Sequence, residues 1–302
     1  LTDAVVALAA GEVVHINVLD AAHRSAVAER FTGRVPPGSV LTHEIATDDA
    51  WCRDHGAIFI ADERGERVAL NFRFNAWGGK YPFERDNAVP AQMAAVVGAP
   101  VVTVDVVLEG GSIDVNGAGV VLTTEQCLLN PNRNPTLQRA DIEAALCRYL
   151  GVTQVLWLGD GIVGDDTDGH VDDLTRFVAE TSVVTVVEPN RNDANYVALA
   201  DNLERLRQMR LADGRKLTIF ELPMPAPVFG ERGRLPASYA NFYIGNRVVL
   251  LPVFDCPQDA QAIDTLAHCF PKRRIVPIDC RSVVEGLGTL HCLTQQVPAC
   301  EP

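Results

Sequence analysis

The residues best equipped for chemistry in this chain fall in a few short segments: Trp51-Cys52-Arg53-Asp54, Glu109-Gly110-Gly111-Ser112, a run of Asp and Gly from Gly159 to Asp173, Ser238-Tyr239-Ala240-Asn241-Phe242, and Glu285-Gly286-Leu287-Gly288-Thr289-Leu290-His291-Cys292. Two carboxylates, Asp54 and Asp172, suit a planar cation, because each can accept two of the paired N–H donors that a guanidinium presents. Cysteine is the best protein nucleophile near neutral pH once its thiolate is populated. A protonated imidazole or a cationic substrate beside it lowers the thiol pKa from a reference of about 8.5. His170 lies two residues before Asp172, so in an extended segment both side chains would point to one face and attend one substrate.

Other readings of these residues are open. The Asp165 to Asp173 run could be a calcium loop, although it lacks the spacing and terminal Glu of an EF-hand. His170, His291 and Cys292 could form a zinc site. Gly159 to Gly169 could cradle a phosphate, but the Walker pattern is missing. His291 reads as a packing or backbone-bonding residue. Cys52, Cys127, Cys147, Cys256, Cys269 and Cys280 read as buried apolar fillers.

These segments need a frame to bring them together, and the chain carries a repeat that could provide one. Val13-Val14-His15-Ile16, Val68-Ala69-Leu70, Val120-Val121-Leu122, Val183-Val184-Thr185 and Val248-Val249-Leu250 are β-branched apolar runs, as buried strands should be. A polar turn and a helical pattern follow each: Ala21–Phe31, Asp86–Val97, Thr136–Leu150, Asn192–Leu211 and Asp259–Phe270. A second apolar strand closes each unit, at Val40–Ile45, Val101–Leu108, Gln154–Leu158, Leu217–Leu222 and Arg274–Ile278. No unit can bury a core alone, whereas five around an axis could share one. Every reactive segment follows a closing strand, so a ring would gather them at its centre.

Composition narrows the class. The 302 residues are 47% hydrophobic and 22% charged, which suits a globular α/β protein, read here as one domain over residues 1–302. A net charge of −13 repels nucleic acid and anionic membranes and attracts cations. No apolar run reaches transmembrane length. The eight cysteines, Cys300 included, are scattered and form no C-x-x-C pair, which predicts reduced thiols in a cytoplasm. There is no initiator Met, so some N-terminal residues are expected to be missing.

Five segments, in order, resemble the signatures of the agmatine deiminase family, which is related to bacterial peptidylarginine deiminases. They are Trp51-Cys52-Arg53-Asp54-His55-Gly56, Phe74-Asn75-Ala76-Trp77-Gly78-Gly79-Lys80-Tyr81, Leu108-Glu109-Gly110-Gly111-Ser112, Asp168-Gly169-His170-Val171-Asp172 and Gly288-Thr289-Leu290-His291-Cys292-Leu293-Thr294-Gln295-Gln296. The resemblance spans nearly the whole chain. It implies the pentein fold, a five-bladed α/β propeller with pseudo-five-fold repeats around a central active site. It implies Cys292 as nucleophile, His170 as general acid/base, Asp54 and Asp172 as the guanidinium grip, and Glu109 holding a substrate nitrogen or orienting His170. Trp51 would pack on the substrate, Gly288 would let backbone approach the ligand, and Asn241 would be a further substrate-binding residue. No metal or organic cofactor is implied. The reaction would convert agmatine to N-carbamoylputrescine and ammonia through a covalent thiouronium, in polyamine biosynthesis. Homo-oligomers are open. Two departures are Ala57, where the family often has Pro, and Leu287, where it has the middle of a Gly triplet. Free or peptide-terminal arginine is the alternative substrate, with Arg73 or Lys80 as candidate partners for its carboxylate. Amidinotransferase and non-catalytic binding protein are further alternatives.

Overall fold

The computed structural model describes residues 1–61, 64–231 and 233–299, so Cys300 lies outside the described residues. Five parallel strand pairs form where the apolar runs predict them. Val14–Val18 pairs with Val40–Glu44, Arg67–Arg73 with Val101–Val107, Val120–Thr124 with Gln154–Leu158, Ser182–Val187 with Thr218–Pro223, and Val248–Val253 with Arg274–Asp279. A helix bridges each pair, as a parallel crossover requires. Buried residues such as Ile142 and Leu146, Leu199 and Leu206, or Ala262 and Leu266 mark the faces that these helices turn to the core.

Local chemistry explains the helix ends. Asp20 caps the first crossover helix, Ala21–Phe31, by accepting from the His23 N–H at 2.8 Å. The third starts at Arg139, three residues later than the periodicity suggests, because Gln138 and Asp141 form a reciprocal capping box. The fourth covers only Tyr196–Gln208; ahead of it, the Asn190 and Asp193 side chains take backbone N–H groups into turns.

Two features go beyond the repeat read from sequence. Units two to five add an antiparallel third strand, Ile58–Ala61, Asp114–Val115, Thr175–Ala179 and Tyr243–Ile244, paired to the central strand of each sheet. A helix, Thr2–Ala9, precedes the first strand, and a small hairpin, Phe229–Gly230 with Gly233–Arg234, sits in the long Pro-rich loop.

Contacts between the loops at the centre run round all five units and return to the first. The Gly111 N–H donates to Asp54 at 3.0 Å, joining units two and one, and Arg133 Nε meets Glu109 at 2.7 Å, joining three and two. Asn241 Nδ2 donates to Asp173 at 3.1 Å, and the His291 N–H to the Asn241 carbonyl at 3.1 Å, linking units three, four and five. The Arg53 N–H donates to the Cys292 carbonyl at 2.9 Å and closes the circle. This is the pentein arrangement: mixed α/β, with five small sheets about a shared centre.

Candidate active site

Cys292 lies in the turn that follows the last closing strand, 5% exposed, with Asn241 holding it in place. Asn241 Nδ2 donates to Cys292 Sγ at 3.0 Å. Its Oδ1 accepts from Thr289 Oγ1 at 2.7 Å and from the His291 N–H at 3.0 Å. One side chain of unit four therefore fixes both the loop and the sulfur of unit five. Asp172 Oδ2 stands 3.8 Å from the same sulfur and accepts from His291 Nδ1 at 2.7 Å. Asp172 Oδ1 is buried and has no protein partner. His291 is thus more than a packing residue: it holds the carboxylate beside the thiol.

Asp54 is the second carboxylate. Its Oδ1 accepts from the Gly111 N–H, and its Oδ2 from Trp77 Nε1 at 2.9 Å. Trp77 and Ala76 both lie at positive φ, 55° and 50°, where side chains are strained. Asn75 steadies this turn by accepting from the Gly78 N–H at 3.0 Å and donating to the Asn132 carbonyl at 2.9 Å. Gly111 lies where three groups converge. A Cβ there would come within 2.6 Å of both Asp54 Oδ1 and His170 Nδ1, and within 3.1 Å of Asp172 Oδ2. His170 and Asp172 do share the site, though not through an extended segment, because Val171–Asp173 is a turn of 3-10 helix.

The loop carrying His170 is held by its own acids. Asp165 accepts from the N–H groups of Thr167, Gly169 and His170. Asp168 meets Arg133, Asn132 and Lys80, and Asp166 accepts from Tyr81. Those oxygens tie the loop down, which differs from the spread-out ligands of a calcium loop. Glu109 is fully buried; Oε1 meets Arg133 and Oε2 has no partner. A carboxylate oxygen of Glu109, a ring nitrogen of His170 and Cys127 Sγ lie within 4.8 Å of one another. Among the described residues this trio, not His170 with His291 and Cys292, has the spacing of metal ligands. A cation there would sit against the Arg133 guanidinium. Cys127 packs in the apolar core as expected of a filler, yet it also backs onto the histidine.

A cavity of about 200 Å³ opens above Cys292. Trp51, Asp54, Trp77, Gly288 and Leu287 line it, and Asp49, Tyr81, Asp166 and Glu285 add to its wall. Among the described residues no Lys or Arg lines it. Arg73 points elsewhere, exposed and paired with Asp105 at 3.0 Å, and Lys80 is engaged by Asp166 and Asp168. Gly288 makes room for a side chain of the protein itself. A Cβ there would come within 2.7 Å of the Trp51 ring, and one on Gly286 within 2.9 Å. Leu287, between them, lies at φ 71°, a left-handed conformation that a glycine adopts at no steric cost.

The electrostatics of the site favour a cationic guest. Burial raises the pKa of Asp54, and the charge of Asp172 adds to the shift. Burial likewise pushes Asp172 up to about 7 and raises Asp173, which Asp172 raises further. The Cys292 thiol is raised well above its ordinary value by burial, then by Asp172 and Asp173. His170 is held well below its ordinary value by burial, then by Arg133. At neutral pH the thiol and imidazole are therefore uncharged. A cation among the acids favours the ionised carboxylates and the thiolate together, while keeping the imidazole neutral.

The chain matches the model of the Porphyromonas-type peptidyl-arginine deiminases over residues 1–298. It belongs to that family. A curated relative, the agmatine deiminase of Pseudomonas aeruginosa (strain LESB58), is 38% identical over 90% of this chain and 80% of its own. Among solved structures, the agmatine deiminase of Enterococcus faecalis superposes with a TM-score of 0.90 at 34% identity, covering 98% of this chain and 86% of that one. A variant of the C. jejuni agmatine deiminase with substrate bound gives 0.89 at 34% identity, covering 97% and 85%. Family membership agrees with the sequence motifs. Trp77, Arg133, Asp173 and Asn75 were not singled out from sequence. Of these, Trp77 and Asn75 lie inside the second family-like segment, and Arg133 follows the polar turn Asn130-Pro131-Asn132 after the third apolar run.

Proposed function

We propose that this protein is an agmatine deiminase, hydrolysing agmatine to N-carbamoylputrescine and ammonia. The observation that carries the reading is the cavity wall: a cysteine and a carboxylate, further acids around them and, among the described residues, no lysine or arginine. Agmatine is cationic at both ends. Its guanidinium suits Asp54 and the unpartnered Asp172 Oδ1, its arm suits the Trp51 and Trp77 rings, and its ammonium suits Asp49, Asp166 or Glu285. Arginine would bring a carboxylate into this acidic space, where no Lys or Arg among the described residues lines the wall to meet it.

In the mechanism we infer, the bound guanidinium lowers the thiol pKa and Cys292 Sγ adds to its central carbon. The thiol proton passes through His170, neutral by burial, to one nitrogen, which leaves as ammonia. A cationic thiouronium remains on the sulfur, stabilised by the preorganised carboxylates. Water adds to the same carbon, giving a proton to His170, and collapse returns the thiol and releases the ureido product. Glu109, with a carboxylate oxygen within 4.8 Å of a ring nitrogen of His170, orients His170 in this reading. Asn241 supports the sulfur. The scattered single cysteines support a cytoplasmic setting, and the acidity argues against nucleic-acid partners. Among the described residues no helix is long and apolar enough to cross a membrane.

Incubation with agmatine, free arginine and a peptide ending in arginine, measuring ammonia and ureido product for each, tests the substrate. Agmatine should be preferred over arginine by at least about 100-fold in kcat/KM, the factor that about 2.7 kcal/mol of unpaired-charge burial gives. Equal use, or a preference for either arginine substrate, would defeat agmatine while leaving the guanidine chemistry standing. Cys292→Ser should abolish turnover but bind agmatine; a tenth of the wild-type rate would remove Cys292 from the nucleophile role, since a hydroxyl supplies far too little oxyanion.

A further inference from the structure

A second cavity, of about 410 Å³, lies on the other side of the ring and shares no wall residue with the first. Successive residues of the central loops face opposite ways. Asp54 and Cys292 line the front cavity, while their neighbours Arg53 and His291 line the rear one, together with Arg176 and Asp114.

The charges in this rear wall do not balance. Arg53 is 4% exposed, yet among the described residues it forms no ion pair. Its Nε donates to the His291 carbonyl at 3.4 Å and its Nη1 to the Gln295 side-chain oxygen, both neutral acceptors, and Nη2 has no partner. Arg176, also 4% exposed, takes up the Asp114 carboxylate through Nε at 2.8 Å, and its Nη1 donates to the carbonyls of Ala240 and Phe242. The second oxygen of Asp114 accepts from the Phe177 N–H. Two guanidiniums thus face one carboxylate. A buried charge with neutral partners alone is costly, and a small anion is the ordinary remedy. Guanidinium forks match the oxygens of an oxyanion.

We propose that this rear cavity binds one small oxyanion beside Arg53 and Arg176. The site communicates with the front of the ring. His291 reaches through to Asp172 at 2.7 Å, and the positive field of Arg176 and Arg53 favours the ionised form of Asp172. An anion that neutralises that field weakens the hold of Asp172 on a cation. Oxyanion binding therefore raises KM for the guanidine substrate to a plateau without entering the substrate's cavity. The kinetic arm rests on the proposed deiminase activity; the binding arm does not.

Inorganic phosphate titrated into the protein by calorimetry at constant ionic strength tests the site directly. Wild type should show one saturable site. Arg53→Gln should lose it. Val115→Glu, which adds a carboxylate at an exposed wall position and leaves the core untouched, should weaken it by about tenfold or more and serves if Arg53→Gln fails to fold. Phosphate should raise KM to a plateau at unchanged kcat. No saturable binding, or binding that these variants leave intact, would overturn the proposal. So would competition with substrate that rises without a plateau, which would place phosphate in the front cavity.

Discussion

Asn241→Ala removes the one side chain among the described residues that donates to the proposed nucleophile, through a 3.0 Å contact from Nδ2 to Cys292 Sγ. A hydrogen bond to a charged group contributes about 1.5–3 kcal/mol, and its loss should fall on the thiolate rather than on the neutral thiol. The thiol is already raised by burial and by Asp172, so the variant should raise it further. At a fixed pH below the thiol pKa, the rate of Cys292 alkylation by iodoacetamide should drop by about ten- to a hundred-fold, at about 1.4 kcal/mol per decade. The same factor should appear in kcat/KM for agmatine. Asn241 Oδ1 also accepts from Thr289 and from the His291 N–H, so part of any loss could come from a loosened loop. Thr289→Val isolates that effect, because it removes one of those bonds and leaves the donor to sulfur in place. It should lower thermal stability while cutting kcat/KM by less than about threefold, since a neutral hydrogen bond contributes only about 1 kcal/mol to folding. Alkylation within twofold of wild type in Asn241→Ala, or an equal loss in Thr289→Val, would refute the assignment of thiolate support to Asn241.

Three further outcomes are expected. Gly111→Ala places a Cβ 2.6 Å from both Asp54 Oδ1 and His170 Nδ1 and should cut kcat/KM by about a hundred-fold or more, because small displacements of catalytic groups cost that much; near-normal kinetics would show that the ring tolerates a side chain there. Asp172, pushed up to about 7 by burial, holds its proton more tightly folded than unfolded, so its contribution to stability is full below about pH 4 and is lost as pH rises towards 7. Agmatine should therefore raise Tm more at pH 8 than at pH 5, and Asp172→Asn should flatten that difference; an equal ligand shift at both pH values would count against Asp172 as a partner of the cation. Cys127→Ser leaves a hydroxyl beside Glu109 and His170 and should shift the pH profile of kcat and lower its maximum, whereas an unchanged profile would return Cys127 to the role of core filler.

Much of the frame was legible because β-branched runs mark buried strands without tertiary help. The parallel pairs and crossover helices fall where the periodicity puts them, with ends moved by caps such as Gln138 with Asp141. The antiparallel third strands escaped notice because Asp114–Val115 and Tyr243–Ile244 are two residues long, too short for any alternation to register. Individual site residues were legible only by their types and by family motif. What each does depends on the ring, which sequence windows do not contain. Trp77 is only one residue of a family-like segment until its indole N–H is seen on Asp54, and Arg133, which no motif marks, proves to clamp Glu109.

The acids show most clearly how context changes meaning. In sequence, Asp165 to Asp173 invites a calcium loop or a solvated surface. In the fold its members divide. Asp165 and Asp168 are consumed by backbone N–H groups, Arg133 and Lys80, and so build the loop, while Asp172 alone keeps a buried oxygen without a partner. Asp54 differs again, since each of its oxygens already takes one N–H and retains capacity for a second. A carboxylate that is buried, raised in pKa and not fully bonded destabilises the fold on its own. Three of them, Asp54, Asp172 and Asp173, cluster within reach of one thiol that their charge also suppresses. A cation at that point relieves the whole set together, so substrate binding and activation of the nucleophile become the same electrostatic event. In the proposed mechanism, that coupling keeps the thiol neutral, and poorly reactive towards other electrophiles, until a guanidinium arrives.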